Sequence, residues 1–198
     1  MIVDAHTHIF PASVCRRRED FFEGEAPFRL LYDSPKSRLI TADDLVGFMD
    51  AHEVDKSVTF GFPWKRRDYY QQNNDAVLEG MARFPDRLIG LCCVDVYDPE
   101  AVAEAERCLD AGMAGVGELA FYQSGIGPDD LKMLEPVMAL CREKSVPVMI
   151  HTNEPVGHLY PGKTPNTLAQ IYKLVKTFPD NKIILAHWGG GIFFYTLL

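Results

Sequence analysis

The chain alternates between short apolar runs and longer segments whose apolar positions recur every three or four residues. The first is the signature of buried strands, the second of amphipathic helices. Residues 2–5 read as a short buried strand that runs into His6-Thr7-His8. Further strands are predicted over residues 56–62, 88–94, 114–119, 146–150 and 182–186. Between them, Thr41 caps a helix with Leu45, Phe48 and Met49 at helical spacing, and Asn74 or Asp75 starts one with Val77, Leu78 and Met81 inward. Asp98-Pro99 opens a third, with Val102, Ala105 and Leu109 inward, and a fourth begins near Pro136, because proline fits poorly in a helix interior. Thr164-Pro165 caps the last, with Leu168, Ile171, Tyr172 and Val175 inward, and residues 192–198 begin another apolar segment. Six strand-then-helix units call for an α/β fold with a parallel sheet, either doubly wound or a (β/α) barrel. No GxGxxG follows the first strand, so a dinucleotide fold has no specific support.

Two connections are long. Residues 9–40 follow the first strand directly, which favours a lid over whatever that strand carries, and residues 152–164 follow the fifth. The strand ends share a feature. His6 and His8 close the first, Glu118 the fourth, His151 the fifth and His187 the sixth. Strand C-termini of a parallel barrel open on one face, which carries the active site. Four of the six histidines and one carboxylate therefore converge on one mouth. His-x-His in a strand places two imidazoles on the same side, where they can meet one divalent ion.

Composition and charge narrow the class. The chain has 198 residues, 47% of them hydrophobic and 24% charged, as expected for a globular domain. Its net charge of −8 argues against a nucleic-acid partner. Five cysteines without CxxC spacing read as free thiols in a reducing compartment. Neither a secretory signal nor an apolar run of about 20 residues is visible, so a cytoplasmic location is expected, with no membrane partner.

The strand-end set Asp4-Ala5-His6-Thr7-His8, Gly117-Glu118, Ile150-His151 and Ala186-His187-Trp188-Gly189-Gly190 resembles the amidohydrolase superfamily. It is similar to the amidohydrolase-related branch of aminocarboxymuconate semialdehyde decarboxylase-like enzymes. The resemblance implies a distorted TIM-type barrel holding one or two divalent metals, zinc first and manganese second. By position, His6, His8 and His151 resemble metal ligands, Glu118 an additional ligand, and His187 the residue that polarises or orients substrate. The family ends its eighth strand with an aspartate that binds metal and moves protons. Only about six of eight units are present over residues 1–198, read as one domain, and we expect strands seven and eight in a longer polypeptide. Family members are often dimers, so a homodimer is implied.

The leading expectation is hydrolysis of a small, anionic substrate. A metal lowers the pKa of bound water to about 7, and hydroxide attacks a carbonyl. Non-oxidative decarboxylation of a small carboxylic acid is the alternative on the same frame. A TatD-like nuclease and a non-catalytic metal-binding barrel fragment are the others. Arg16, Arg17, Lys65, Arg66 and Lys163 are candidates for an anionic group. Tyr160, Trp64 and Trp188 are candidates for stacking on a planar substrate, and Asn153 and His158 for contacting it.

Overall fold

A computed structural model describes residues 1–195. The end of the apolar segment beginning at Ile192 lies outside the described residues. Among the described residues, six parallel strands occur: β1 (Val3–His8), β2 (Lys56–Phe60), β3 (Leu88–Gly90), β4 (Val116–Leu119), β5 (Val148–Ile150) and β6 (Ile183–Leu185). They pair in chain order as two three-stranded sheets. The bridge between Cys92 and Val116 joins those sheets into one arc, with Cys92 N–H donating to Gly115 (2.9 Å) and Gly117 N–H to Cys92 (2.8 Å). The arc is a partial barrel, with β1 and β6 at its open ends. The predicted buried character of β1 is therefore not met: Val3 to Ala5 are exposed, and Ile184 on β6 is exposed as well. Neither edge strand has an outer neighbour among the described residues.

Helices cover the outside: α1 (Ala12–Arg16), α2 (Ala26–Tyr32), α3 (Ala42–Ala51), α4 (Arg67–Arg83), α5 (Ala101–Asp110), α6 (Pro128–Glu143) and α7 (Leu168–Thr177). Between them and the arc lies the main apolar core, and a smaller cluster of Phe60, Leu91, Cys93, Met149 and Ala186 fills the inside of the arc. All five cysteines are free thiols.

Several helix boundaries depart from the sequence reading, each for a local reason. Helix α4 starts two turns earlier than Asn74, because its inward face carries Tyr70, Asn73 and Asn74 as well as Val77. Asn73 is buried because it is fully used: it accepts from the Trp64 indole N–H (3.0 Å) and donates to the Ile9 carbonyl (2.9 Å). Helix α6 starts at Pro128, where the missing N–H costs nothing, and Asp130 caps the Gly127 N–H at 2.8 Å. Pro136 then lies inside the helix. Helix α7 is capped by Thr167 with Gln170, not by Thr164, and Tyr172 and Val175 face solvent. Phe48 is likewise exposed, stacked on His52 at 4.1 Å.

The lid expected over residues 9–40 is not a bare loop. It holds α1, a short 3-10 turn (Arg18–Phe21) and α2. Arg18 ties it together by donating to the carbonyls of Tyr32 (3.2 Å), Ser34 and Ser37. Arg16 is exposed and Arg17 pairs with Asp20 at 3.2 Å, so neither reaches the barrel mouth.

Candidate metal centre

Strand β1 pairs with β2 in shifted register between Asp4 and Thr7. Thr7 points away and donates to the Val58 carbonyl (2.8 Å), while His6 and His8 turn inward and pack edge-on against Phe60, at ring separations of 4.9 and 4.6 Å. Glu118 stands opposite on β4, 3% exposed. Gly117 places it: its φ is +136°, and a Cβ there would sit 2.5 Å from the Met149 carbonyl on β5. His151 follows β5, its N–H held by Leu119 (2.8 Å) and its carbonyl by Asn166 (3.2 Å). His187 follows β6 in left-handed backbone, φ 53°, as does Trp188 at φ 60°. Non-glycine residues in that region carry about 1–3 kcal/mol of strain and concentrate at functional sites.

The four imidazoles surround one carboxylate. His6 Nε2 lies 3.6 Å and His8 Nε2 3.7 Å from Glu118 Oε2. His151 Nδ1 lies 3.1 Å and His187 Nε2 3.3 Å from Oε1. Donor atoms of His6, Glu118 and His187 all fall within 4.8 Å of one another. His8 Nδ1 sits 2.8 Å from the Gly61 carbonyl, which can only accept. The proton of neutral His8 is therefore on Nδ1, and the Nε2 lone pair faces the centre.

Burial sets the protonation states. It pushes His6 down to about 4, outweighing the pull of Glu118, and it lowers His8 as well. Burial alone would raise Glu118, but hydrogen bonds from His151 and His187 hold it well below the usual carboxylate range. Its hydrogen bond to Glu118 raises His187, against a smaller opposing effect of burial. Neutral imidazoles beside an ionised carboxylate are the protonation states a divalent ion needs. His151 Nε2 is buried with no hydrogen-bond partner among the described residues. An unmet polar atom of that kind costs about 1–3 kcal/mol. The residues present thus fit a divalent metal.

One consequence concerns pH. Unfolded, His6 titrates near its ordinary 6.5; folded, near 4. Between those values the unfolded chain binds more protons, so the metal-free fold loses stability as pH falls from about 6.5 to about 4. His6 alone accounts for roughly 3 kcal/mol, and His8 adds in the same direction. His187 runs the opposite way: its contribution is complete below its unfolded pKa and lost as pH rises through its raised folded value. Urea midpoints of metal-free protein at pH 7 and pH 4.5 measure the balance. We expect the lower midpoint at pH 4.5, and a smaller difference in His6→Ala.

A cavity of about 260 Å³ opens over this cluster, lined by His6, His8, Glu118, His151 and His187 together with Leu31, Tyr32, Phe62, Tyr122, Tyr160, Pro161 and Gly162. Of the loop residues expected to stack on or contact substrate, Tyr160 alone lines it. Lys65 lines a separate cavity of about 410 Å³, which shares Tyr122 with the first. Arg66 is exposed, paired with Asp68 at 2.6 Å and stacked on Tyr69 at 4.2 Å. Asn153 is buried and spent on the loop: its oxygen accepts from Thr164 N–H (2.8 Å) and Oγ1 (2.6 Å), and its amide donates to the Thr164 carbonyl (3.1 Å). Lys163 pairs with Glu154 (3.3 Å) and donates to the Val156 carbonyl (2.8 Å). His158 is exposed beside Tyr160, and Trp188 is 82% exposed, next to Phe193. Trp64 is a core residue. Tyr32, Phe62 and Tyr122 were not anticipated; their apolar character reads as packing, and only the fold brings them to the mouth.

Known proteins share this fold. The chain is 26% identical over 198 residues to a gamma-resorcylate decarboxylase of Rhodococcus jostii, covering 81% of this chain and 60% of that protein. It is 25% identical over 183 residues to a gamma-resorcylate decarboxylase of Rhizobium radiobacter, covering 76% of this chain and 56% of that one. It thus spans about 60% of the length of these curated relatives. Among solved structures, 5-carboxyvanillate decarboxylase of Novosphingobium aromaticivorans, complexed with manganese and 4-hydroxy-3-methoxy-5-nitrobenzoic acid, superposes with a TM-score of 0.75 at 16% identity, covering 100% of this chain and 68% of that one. A 2,6-dihydroxybenzoate decarboxylase complexed with 2,6-dihydroxybenzoate gives a TM-score of 0.68 at 22% identity, covering 99% of this chain and 69% of that one. These likenesses establish the TIM-barrel fold. The family model described as amidohydrolase matches residues 3–192, nearly the whole length, and the chain belongs to that family.

Proposed function

We propose that this chain carries the metal frame of a decarboxylase acting on a small aromatic carboxylic acid. The observation that supports it is the cavity: an aromatic wall of Tyr32, Phe62 and Tyr122 faces the cluster of four imidazoles and one carboxylate. Flat rings suit a planar substrate. The relatives are named as decarboxylases of this class of acid, which favours decarboxylation over the hydrolysis first expected from the ligand types.

His6, His8, His151 and Glu118 would hold a divalent ion, manganese ahead of zinc because the solved relative binds manganese. When bound, the ion supplies positive charge that draws in and orients the substrate's oxygen atoms. The chain's own residues do the rest. His187, the most exposed of the four imidazoles, stands at the edge of the cavity and orients the carboxylate to be lost. Burial pushes the Tyr32 phenol up to about 12 and raises Tyr122 too, so both remain hydroxyl donors at neutral pH. Leu31 and Phe62 exclude water from the ring face. The carbon–carbon bond to the carboxylate breaks, carbon dioxide leaves, and a proton takes its place on the ring carbon.

The test is release of carbon dioxide from 2,6-dihydroxybenzoate and 5-carboxyvanillate by the manganese-loaded protein. We expect release that stops when the metal is stripped. Hydrolysis of simple amides or lactones without carbon dioxide release would return the reading to a hydrolase.

A further inference from the structure

The cavity of about 410 Å³ beside the histidine cluster has no part in that cluster: neither Glu118 nor any of the four histidines lines it. Strand alternation separates the two spaces. Glu118 and Leu119 are consecutive on β4, and Glu118 turns to the cluster while Leu119 turns to this cavity. Its volume is that of a small-molecule site. The walls are mostly apolar, built from Pro27 of α2, Pro63, Val94, Leu119 and Phe121, and two charges of opposite sign, Lys65 and Asp95, interrupt them.

Both charges are fixed at their backbone. Glu25, fully buried, accepts from Lys65 N–H through both carboxylate oxygens (3.1 Å each) and from Arg66 N–H (2.8 Å). Tyr97 N–H donates to Asp95 Oδ1 (3.1 Å), and Asp98 N–H to the Asp95 carbonyl (2.9 Å). Other polar groups at the rim are spent, since the Tyr97 hydroxyl and Ser124 Oγ both donate to Asp130. Lys65 Nζ and Asp95 Oδ2 have no hydrogen-bond partner among the described residues, and the two side chains do not pair with each other. Burial raises the Asp95 carboxyl, against the pull of the Tyr97 N–H and of Lys65, and a second cation at Oδ2 would offset that cost.

We propose that this cavity binds a small zwitterion with an apolar body, the chemistry of an α-amino acid carrying an aliphatic or aromatic side chain. The ligand's carboxylate meets Lys65 Nζ, its ammonium group meets Asp95 Oδ2, and its side chain lies against the apolar walls. A simple anion would face the Asp95 carboxylate and a simple cation the Lys65 ammonium, whereas a molecule carrying both charges satisfies both groups. The site is independent of the metal reading, because no residue of the histidine cluster takes part in it.

The experiment titrates the metal-stripped chain with L-phenylalanine at neutral pH, by isothermal titration calorimetry and ligand-observed nuclear magnetic resonance. We expect saturable binding of one molecule per chain, unchanged in the His6→Ala, His8→Ala double variant. L-Phenylalaninamide, which lacks the carboxylate, and N-acetyl-L-phenylalanine, which lacks the ammonium group, should each bind about tenfold or more weakly. Lys65→Met should lose the preference for phenylalanine over the amide, and Asp95→Asn the preference over the N-acetyl compound, with circular dichroism confirming the fold of both. Equal affinity for the three compounds would reduce the cavity to an apolar cleft and overturn the proposal. So would the absence of saturable binding by either method, or binding lost in the double histidine variant, which would move the ligand to the histidine cluster.

Discussion

Replacing His6 and His8 together by alanine is expected to abolish retention of divalent metal while leaving a folded chain. The two residues offer their Nε2 atoms to one side of Glu118, and His8 is fixed in the required tautomer by Gly61. Loss of a single group that merely orients a ligand lowers metal affinity 10–100-fold. Loss of two ligands should exceed 100-fold. The fold should survive, because both imidazoles are partly exposed and lie on the edge strand β1, outside the main apolar core. Far-ultraviolet circular dichroism and a urea melt of the metal-free double variant should match the parent within about 1–2 kcal/mol. Global unfolding would mean that the cluster is a structural centre, as in small metal-dependent domains.

The second large effect is expected at Gly117. A methyl group there meets the Met149 carbonyl at 2.5 Å and Met149 Cβ at 2.7 Å, and the backbone φ of +136° is one that only glycine adopts easily. The neighbour is strand backbone, which cannot swing away as a side-chain tip could. Overpacking costs about 1–3 kcal/mol and the dihedral penalty adds to it, so Gly117→Ala should lose roughly 3–5 kcal/mol. For a chain of this size that lowers Tm by roughly 6–20 °C. It would also displace Glu118 and with it the centre of the cluster. Gly47→Ala is the control: nothing lies within 4 Å of its Cβ, it is inside α3, and alanine should be neutral or stabilising by up to about 1 kcal/mol. Thermal melts of the two variants side by side measure the contrast.

The cluster of four histidines and one carboxylate was legible because its chemistry coincides with its topology. His6, His8, Glu118, His151 and His187 are each placed by the end of an apolar run, and parallel strands bring such ends to one face whatever the helices do. The aromatic wall of the cavity was not legible. Tyr32 sits at the end of α2 inside a connection that reads as irregular, and Phe62 and Tyr122 look like core residues until the loops fold over the mouth. Polar residues misled for the converse reason. Asn153, Lys163 and Arg66 lie in loops on the correct face, yet each spends its side chain on a nearby partner. Sequence position gives the face of a barrel and not the direction of a long side chain on it.

The helices show the same division. Amphipathic periodicity locates α3 and α5 to within a few residues, whereas it misses the first two turns of α4, whose buried face carries asparagines that look like surface residues. Pro136 reads as a helix start, but Pro128 provides it about two turns earlier in the same helix. The exposure of β1 follows from its place at the end of the arc, which no local pattern encodes.

The most direct test of this account is the metal content of the purified chain, by inductively coupled plasma mass spectrometry, before and after reconstitution with manganese or zinc. We expect at least one divalent ion per chain, absent from the His6→Ala, His8→Ala double variant. A chain that holds none after reconstitution would contradict the assignment of His6, His8, Glu118 and His151 as a metal centre.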